Sequence, residues 1–432
     1  MAAKRVGLAE FLTLAQTHPV LDVRSPSEYL HAHIPGAQSL PLFSDEERKV
    51  VGTAYKQQSK QVAIKIGLKY FGVKMVEMVE TVEAMFKELN PTKSGSNKPF
   101  SQSSKSSKSS SQDSDLTSII PQTTQTSKST QTPPNTESSF TPKIVLVHCW
   151  RGGMRSAGVA WLLDLYGYQV YTLQGGYKAY RGWVLEQFEK DYPIQILGGY
   201  TGSGKTEVLK ALSKQSESVI DLEGLAGHKG SAFGNMGLPL QPSQEMFENK
   251  LAQALDNATT THSENSSNST TILETNPLEG ISNSLPELIA TFTNTSPRRI
   301  WMEDESQRIG TVIIPTVLYQ KMRQKRVFFL DIPFESRLDY ICLHYGKFPK
   351  DQLINAIIRI KKKLGGLETK TAINCLVEDD VRSSFCVLLQ YYDKLYGKGL
   401  ERNRENLTSI VTRVEAPVVN DQANAALLQA QQ

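Results

Sequence analysis

The chain has 432 residues, 39% of them hydrophobic, enough for two or three domains with real cores. No run approaches the ~18 apolar residues of a membrane span, and the N-terminal stretch MAAKRVGLAEFLTLAQTHPVLDVR lacks an apolar segment with a small-residue cleavage site, so a cytoplasmic protein without membrane contact is expected. The net charge of +4 is uneven: residues 321–370 carry twelve Lys/Arg against five Asp/Glu, which fits either a polyanionic partner or a solvated charged face.

In chain order, VLDVR (20–24) reads as a short strand. Residues 92–142 are so rich in Ser, Thr, Gln and Pro that they can bury almost nothing, and a disordered insertion is predicted there. KIVLVHC (143–149) reads as a buried strand, SAGVAWLLDLYGY (156–168) as a helix with a glycine near its end, and YTLQGG (171–176) as another strand end. A domain boundary falls near 190, before Tyr192-Pro193. IQILGG (194–199) then leads into the helix-like KTEVLKALSKQ, and SVIDLEG, RRIWMEDES and KRVFFLDIP are further strand candidates. A second low-complexity tract spans 256–298, and the Ala/Gln/Asn-rich tail, 416–432, reads as flexible. Strands alternating with helices predict an α/β protein with parallel sheets in two units, 1–190 and 191–415. The four cysteines are scattered without a CxxC pair, which argues against a disulfide framework or a zinc site.

HCWRGGMRS (148–156) is a strand end, a glycine-containing loop and a helix start. That geometry turns backbone N–H groups inward, and together with the helix N-terminus they favour an anion. Arg151 and Arg155 add positive charge, so Cys149 is expected to have a depressed pKa and to serve as a nucleophile. The bland alternative is a strand-end cysteine packed as a small hydrophobe. The pattern fits both Cys-dependent phosphatases and the active loop of rhodanese-type sulfurtransferases. LDVRSPSEYLHAHIPGAQSLP resembles the start of a rhodanese domain, with Asp22 and Arg24 read as scaffold. A phosphatase would also need a general-acid Asp over the loop, and no position singles itself out.

Gly199-Tyr200-Thr201-Gly202-Ser203-Gly204-Lys205-Thr206 is G-x-x-x-x-G-K-T between a strand and a helix. Gly199, Gly202 and Gly204 let N–H groups close around phosphate oxygens, Lys205 supplies a point charge, and the Thr206 hydroxyl can reach Mg²⁺. Asp221/Glu223, Glu303/Asp304/Glu305 and Asp331 are the carboxylates that could orient such an ion. The loop predicts a small-molecule phosphate ligand without saying what the phosphate carries.

Together with LQGGYKAYRGWV, DLEGLAGHKGSAFGNMG and WMEDESQRIG, these motifs resemble the tRNA 2-selenouridine synthase family, in which a rhodanese-like domain precedes a P-loop NTPase-like domain; the likeness covers roughly 1–90, 143–255 and 298–400. The resemblance implies tRNA as partner, with geranyl diphosphate and selenophosphate as co-substrates. Wobble 2-thiouridine is first S-geranylated, and selenium then replaces the geranylthio group. It further implies that Cys149 carries selenium as a perselenide while Arg151 and Arg155 hold selenophosphate. Placing geranyl diphosphate on the P-loop, with Lys205 on its leaving group, is a further expectation. PKDQLINAIIRIKKKLGG (349–366) reads as a helix stopped by Gly365-Gly366, with Leu353, Ile354, Ile357, Ile358 and Leu364 on its apolar side. Its Arg359, Lys361, Lys362 and Lys363 are placed to meet tRNA phosphates. A phosphatase fused to a small-molecule kinase, and a non-catalytic sulfur-relay or tRNA-binding adaptor, are the rival readings.

Overall fold

The computed structural model describes residues 3–89, 143–267, 299–401, 404 and 407–431. The insertion expected at 92–142 and the stretch 268–298 lie outside the described residues.

The first sheet holds β1 (Lys4–Val6), β2 (Val20–Asp22), β3 (Gln38–Ser39), β4 (Ile144–His148) and β5 (Gln169–Leu173), all parallel in the order β1-β5-β4-β2-β3. β4 is central and almost wholly buried, as its unbroken apolar run requires for a strand covered on both faces. The register sets Asp22 beside His148, so the residues that follow both strands share one end of the sheet. The helix Lys60–Leu89 covers one face, burying Phe71, Met78 and Val82 in the same cluster as Val159 and Leu163 of the helix Met154–Leu165.

The second sheet holds β6 (Ile194–Gly199), β7 (Ser218–Ile220), β8 (Ile300–Glu303), β11 (Val327–Asp331) and β12 (Val411–Glu415), parallel in the order β12-β11-β6-β8-β7. A two-stranded antiparallel ribbon, β9 (Arg308–Ile309) with β10 (Val312–Ile313), lies beside it. β6 is central, and its C-terminal end opens into the G-x-x-x-x-G-K-T loop.

Two expectations are corrected. The tail is not frayed: Asn420 caps a helix, Asp421–Ala430, that buries Ala425 and Leu428 against the helix Lys205–Lys214. Its alanines are strong helix formers, and their small side chains permit close approach. The second low-complexity tract is in part helical: its first residues, 256–267, continue the helix Gln244–Ser267.

That helix also joins the two sheets. Its Phe247, Leu251 and Leu255 share one core with Phe11, Tyr180 and Val184 of the first unit. Among the described residues no helix is long and apolar enough to cross a membrane.

Candidate functional site

Cys149 follows the central strand β4 and is almost fully buried, with 3% of its surface exposed. Its loop is pinned from below by the helix Gly176–Glu189, whose Tyr177 N–H donates to the Cys149 carbonyl at 2.9 Å and whose Lys178 N–H donates to the Trp150 carbonyl at 2.9 Å. The turn depends on Gly152, at φ +63°, where an added Cβ would lie 2.3 Å from the Leu173 carbonyl oxygen.

The Cys149 Sγ lies 3.3 Å from the Ser156 hydroxyl. Burial alone would push the thiol pKa up. It is outweighed by the Ser156 hydroxyl, the N–H groups of Ser156 and Gly153, and the charge of Arg155, so the thiol sits below its ordinary value. Of the two expected arginines, Arg151 is exposed on the rim. Arg155 is half-buried and donates to Glu28 at 3.1 Å. Glu28 also pairs with Arg48 and closes a capping box with Ser25 at the helix Pro26–His31. Burial would raise the Glu28 carboxyl, but Arg155, the Ser25 N–H and Arg48 hold it low, so it is a carboxylate near neutral pH and a poor general acid.

The scaffold role expected for Asp22 and Arg24 takes a definite form. Arg24 is forked onto both Asp22 oxygens, donates to the Ala32 carbonyl, and stacks 3.8 Å from the Tyr177 ring centroid. His148, wholly buried 3.8 Å from Asp22, is pushed down to about 4 by burial and is neutral at pH 7. Two supporting residues escape a reading by motif. Ser156 stands inside the Arg-Ser pattern but carries no assigned role there. Tyr177 takes its importance from partners far along the chain: its hydroxyl donates to Glu245 at 2.8 Å and accepts from Asn249 at 2.8 Å.

In the second unit, Gly199, Gly202 and Gly204 all have positive φ. Gly202 is required by close approach as well, since a Cβ there would come within 2.8 Å of Ile341. Lys205 opens the helix Lys205–Lys214 and folds back to donate to the Gly199 carbonyl at 2.9 Å, across the loop. Thr206 donates to Glu223 at 3.0 Å.

The candidate carboxylates separate into two sets. Glu223 and Glu305 crowd beside Lys205 and Thr206, and Glu303 lies next to Glu223 and Asp221, accepting from the Leu222 N–H at 2.9 Å. Burial, and then the charge of Glu223, push Glu305 up to about 8; burial, with Asp221 and Glu223, raises Glu303. Asp221 caps the helix Leu222–Ala226. Asp304 is held by Arg323 and Arg404, and Asp331 pairs with Arg413 on the edge strand β12. Among the described residues no three His, Cys, Asp or Glu side chains form a metal-ligating group. The Thr206 hydroxyl with Glu223 and Glu305 nevertheless fits Mg²⁺, which takes one or two carboxylates and draws its remaining ligands from phosphate and water. A cation there would also relieve the repulsion that raises Glu305.

Two residues far along the chain shape this loop without any local signal. Tyr396 accepts from the Gly199 N–H at 3.3 Å and donates to Asp304 at 3.0 Å, while its ring lies 5.5 Å from the Lys205 ammonium. Arg337 donates to the Thr201 carbonyl at 3.1 Å and forks onto Asp393.

The basic helix spans Lys350–Leu364, ended by Gly365 as read from the sequence. It buries Leu353, Ala356, Ile357 and Leu364, whereas Ile358 is half exposed and not on the packed side. Lys361, Lys362 and Lys363 are exposed in its last turn. Arg359 is turned toward the protein, donating to the Ala232 carbonyl at 2.8 Å.

Comparison with known proteins accounts for both units. A family model described as "tRNA 2-selenouridine synthase AAA domain" matches residues 192–276 and 280–426, and a rhodanese-like domain model matches residues 8–65. A tRNA 2-selenouridine synthase of Bdellovibrio bacteriovorus is 29% identical, covering 93% of this chain and 94% of its own. That of Nitrosomonas europaea is 28% identical, over 91% and 92%. That of a Sulfurovum species is 27% identical, over 90% of each.

Proposed function

The chain belongs to the tRNA 2-selenouridine synthase family, and from that premise we propose that it converts wobble 2-thiouridine in tRNA to 2-selenouridine through an S-geranyl intermediate. In the first step the thiocarbonyl sulfur attacks C1 of geranyl diphosphate. The S–C bond forms, the C–O bond breaks, the base loses its N3 proton, and diphosphate leaves. The P-loop supports this reading, because Lys205 and the N–H groups around Gly202 and Gly204 stabilise a leaving diphosphate without any hydrolysis. Mg²⁺ held by Thr206 with Glu223 and Glu305 supplies further charge neutralisation when bound.

Selenium in selenophosphate is already at the selenide level, so it can reach C2 without a perselenide: in the second step the Cys149 thiolate adds to C2, the geranylthio group departs as a thiol, and the selenium of selenophosphate then displaces Cys149 from C2. Water then cleaves the Se–P bond, phosphate leaves, the base regains its N3 proton, and Cys149 is left as it began. Arg151 on the rim and Arg155 beside the loop attract the selenophosphate anion. Lys361, Lys362 and Lys363 contact tRNA phosphates.

The observation that carries this reading is the Cys149 loop: a buried sulfur at the end of a central parallel strand, with its thiolate favoured by Ser156 and loop amides. The test is mass spectrometry of nucleosides from 2-thiouridine tRNA incubated with geranyl diphosphate, with and without selenophosphate. Wild type should give S-geranyl-2-thiouridine alone and 2-selenouridine when selenophosphate is added. Cys149→Ala should stop at the geranylated product. Selenation at the wild-type rate in that variant would remove Cys149 from the mechanism.

A further inference from the structure

We infer that the apolar cleft beside the phosphate loop seats the hydrocarbon chain of the diphosphate substrate and sets its length. This rests on the reading that the P-loop takes a prenyl diphosphate. The cleft begins at Thr201, inside the phosphate loop, and is walled by Phe233, Ile341, Phe385, Leu388 and Leu389. It abuts the loop directly, since Ile341 packs so closely on Gly202 that even a methyl group would not fit between them. One end of a ligand here meets Lys205 and loop amides, and the other meets aliphatic and aromatic carbon. That polarity suits an amphiphile with a diphosphate head.

A nucleotide fits the walls poorly. A base needs polar partners for its edge, and this wall offers only the hydroxyls of Thr201, Ser231, Tyr345 and Tyr392, with no charged or amide side chain; the Tyr392 hydroxyl also accepts from the Ala232 N–H at 3.2 Å. The rings of Phe233, Tyr345 and Phe385 instead meet edge to face or tilted, with centroids 6.1–6.4 Å apart, and form an apolar wall suited to a branched chain.

The cleft is narrow in this structure, and one of its walls is the segment 229–237, with Gly230 and Gly237 at positive φ. Its middle is held to the helices behind by the Ala232 contacts with Arg359 and Tyr392. A chain enters as this wall yields at its glycines. Arg359 therefore braces, through Ala232, the wall that carries Phe233.

The experiment uses the full chain. Titration with geranyl diphosphate and with inorganic diphosphate should show the former binding on the order of 100-fold more tightly in wild type, from burial of the chain. Leu389→Trp, which fills the cleft, should bring geranyl diphosphate down to the affinity of inorganic diphosphate and leave the latter unchanged. In competition between geranyl and farnesyl diphosphates on 2-thiouridine tRNA, Phe385→Ala should raise the farnesyl-to-geranyl product ratio at least about tenfold, because it lengthens the cleft. Phe233→Leu, a milder cut in the opposite wall, should shift the ratio the same way and serves if Phe385→Ala loses its fold. Folded variants with unchanged affinities and product ratio would overturn the cleft assignment while leaving prenyl transfer intact. A wild-type protein that transfers no prenyl group from either diphosphate would overturn the functional reading beneath it.

Discussion

Removing the Ser156 hydroxyl isolates one contribution to the reactivity of Cys149. The hydroxyl lies 3.3 Å from Sγ, and among the groups that favour the thiolate it is the foremost; burial opposes them all. A hydrogen bond to a charged group contributes about 1.5–3 kcal/mol, and each pKa unit is about 1.4 kcal/mol. The same hydroxyl also donates to the Gly153 carbonyl at 3.0 Å, so its proton is shared and Ser156→Ala should raise the thiol pKa by at most about one to two units. The amides of Gly153 and residue 156 and the Arg155 charge remain, so some depression persists. The sign follows from the acid: losing a partner of the anion favours the neutral thiol, and the thiolate fraction at pH 7 falls by up to about 10–100-fold if the wild-type thiol titrates above that pH. The assay is the pH dependence of Cys149 alkylation, followed by peptide mass spectrometry so that Cys342, Cys375 and Cys386 serve as internal references. Cys342, whose thiol burial pushes up, should keep its profile in both proteins. A Cys149 midpoint that does not move in the folded variant would refute the assignment of Ser156 as the main thiolate partner.

Other perturbations separate the parts of the molecule. Lys205→Ala should slow geranylation by on the order of 10²–10³, and tRNA supplied already geranylated should bypass the defect in a nucleoside assay. Replacing Lys361, Lys362 and Lys363 with Gln should flatten the slope of log K against log salt for tRNA by roughly two units, at about 0.7–0.9 per lost phosphate contact; an unchanged slope in filter binding returns that helix end to plain solvated surface. Truncation after Asn420 should lower the melting temperature, because it exposes the site of Leu428, whose burial alone stabilises by about 1.5–3 kcal/mol.

What was legible in the sequence was whatever consecutive residues build by themselves. A strand that ends in a glycine-bearing loop and a helix start fixes its own anion cradle, so the loops at Cys149 and Lys205 and the parallel α/β sheets followed from local pattern. The basic helix and its glycine stop were equally local. Composition failed where small residues pack, as at Ala425 in the tail, and helical spacing failed at Ile358, because an apolar residue beside the stripe has no tertiary partner to claim it. Contacts made across the chain left no signal at all. Tyr396 reaches Gly199 from 197 residues away, and Tyr177 gains Glu245 and Asn249 only when the second unit folds against the first.

Those long-range contacts bear on how the two units are held together. Tyr177 supports the Cys149 carbonyl with its N–H, stacks on Arg24, and gives its hydroxyl to the helix Gln244–Ser267 of the P-loop unit. Asn249 on that helix donates both to Tyr177 and, at 2.8 Å, to the carbonyl of His33, in the segment that follows the helix Pro26–His31. Arg181 adds a buried-edge pair with Glu248, and Phe247 and Leu251 complete a core that includes Phe11 and Tyr180. Domains that hinge freely meet through small polar faces; here the hydrophobic core runs from one sheet into the other. Separating the units would strip Asn249 of its partners and expose Phe247, which raises the free energy of any opened state. The placement of the Cys149 loop relative to the P-loop is therefore fixed by that core, and changing it would break the core.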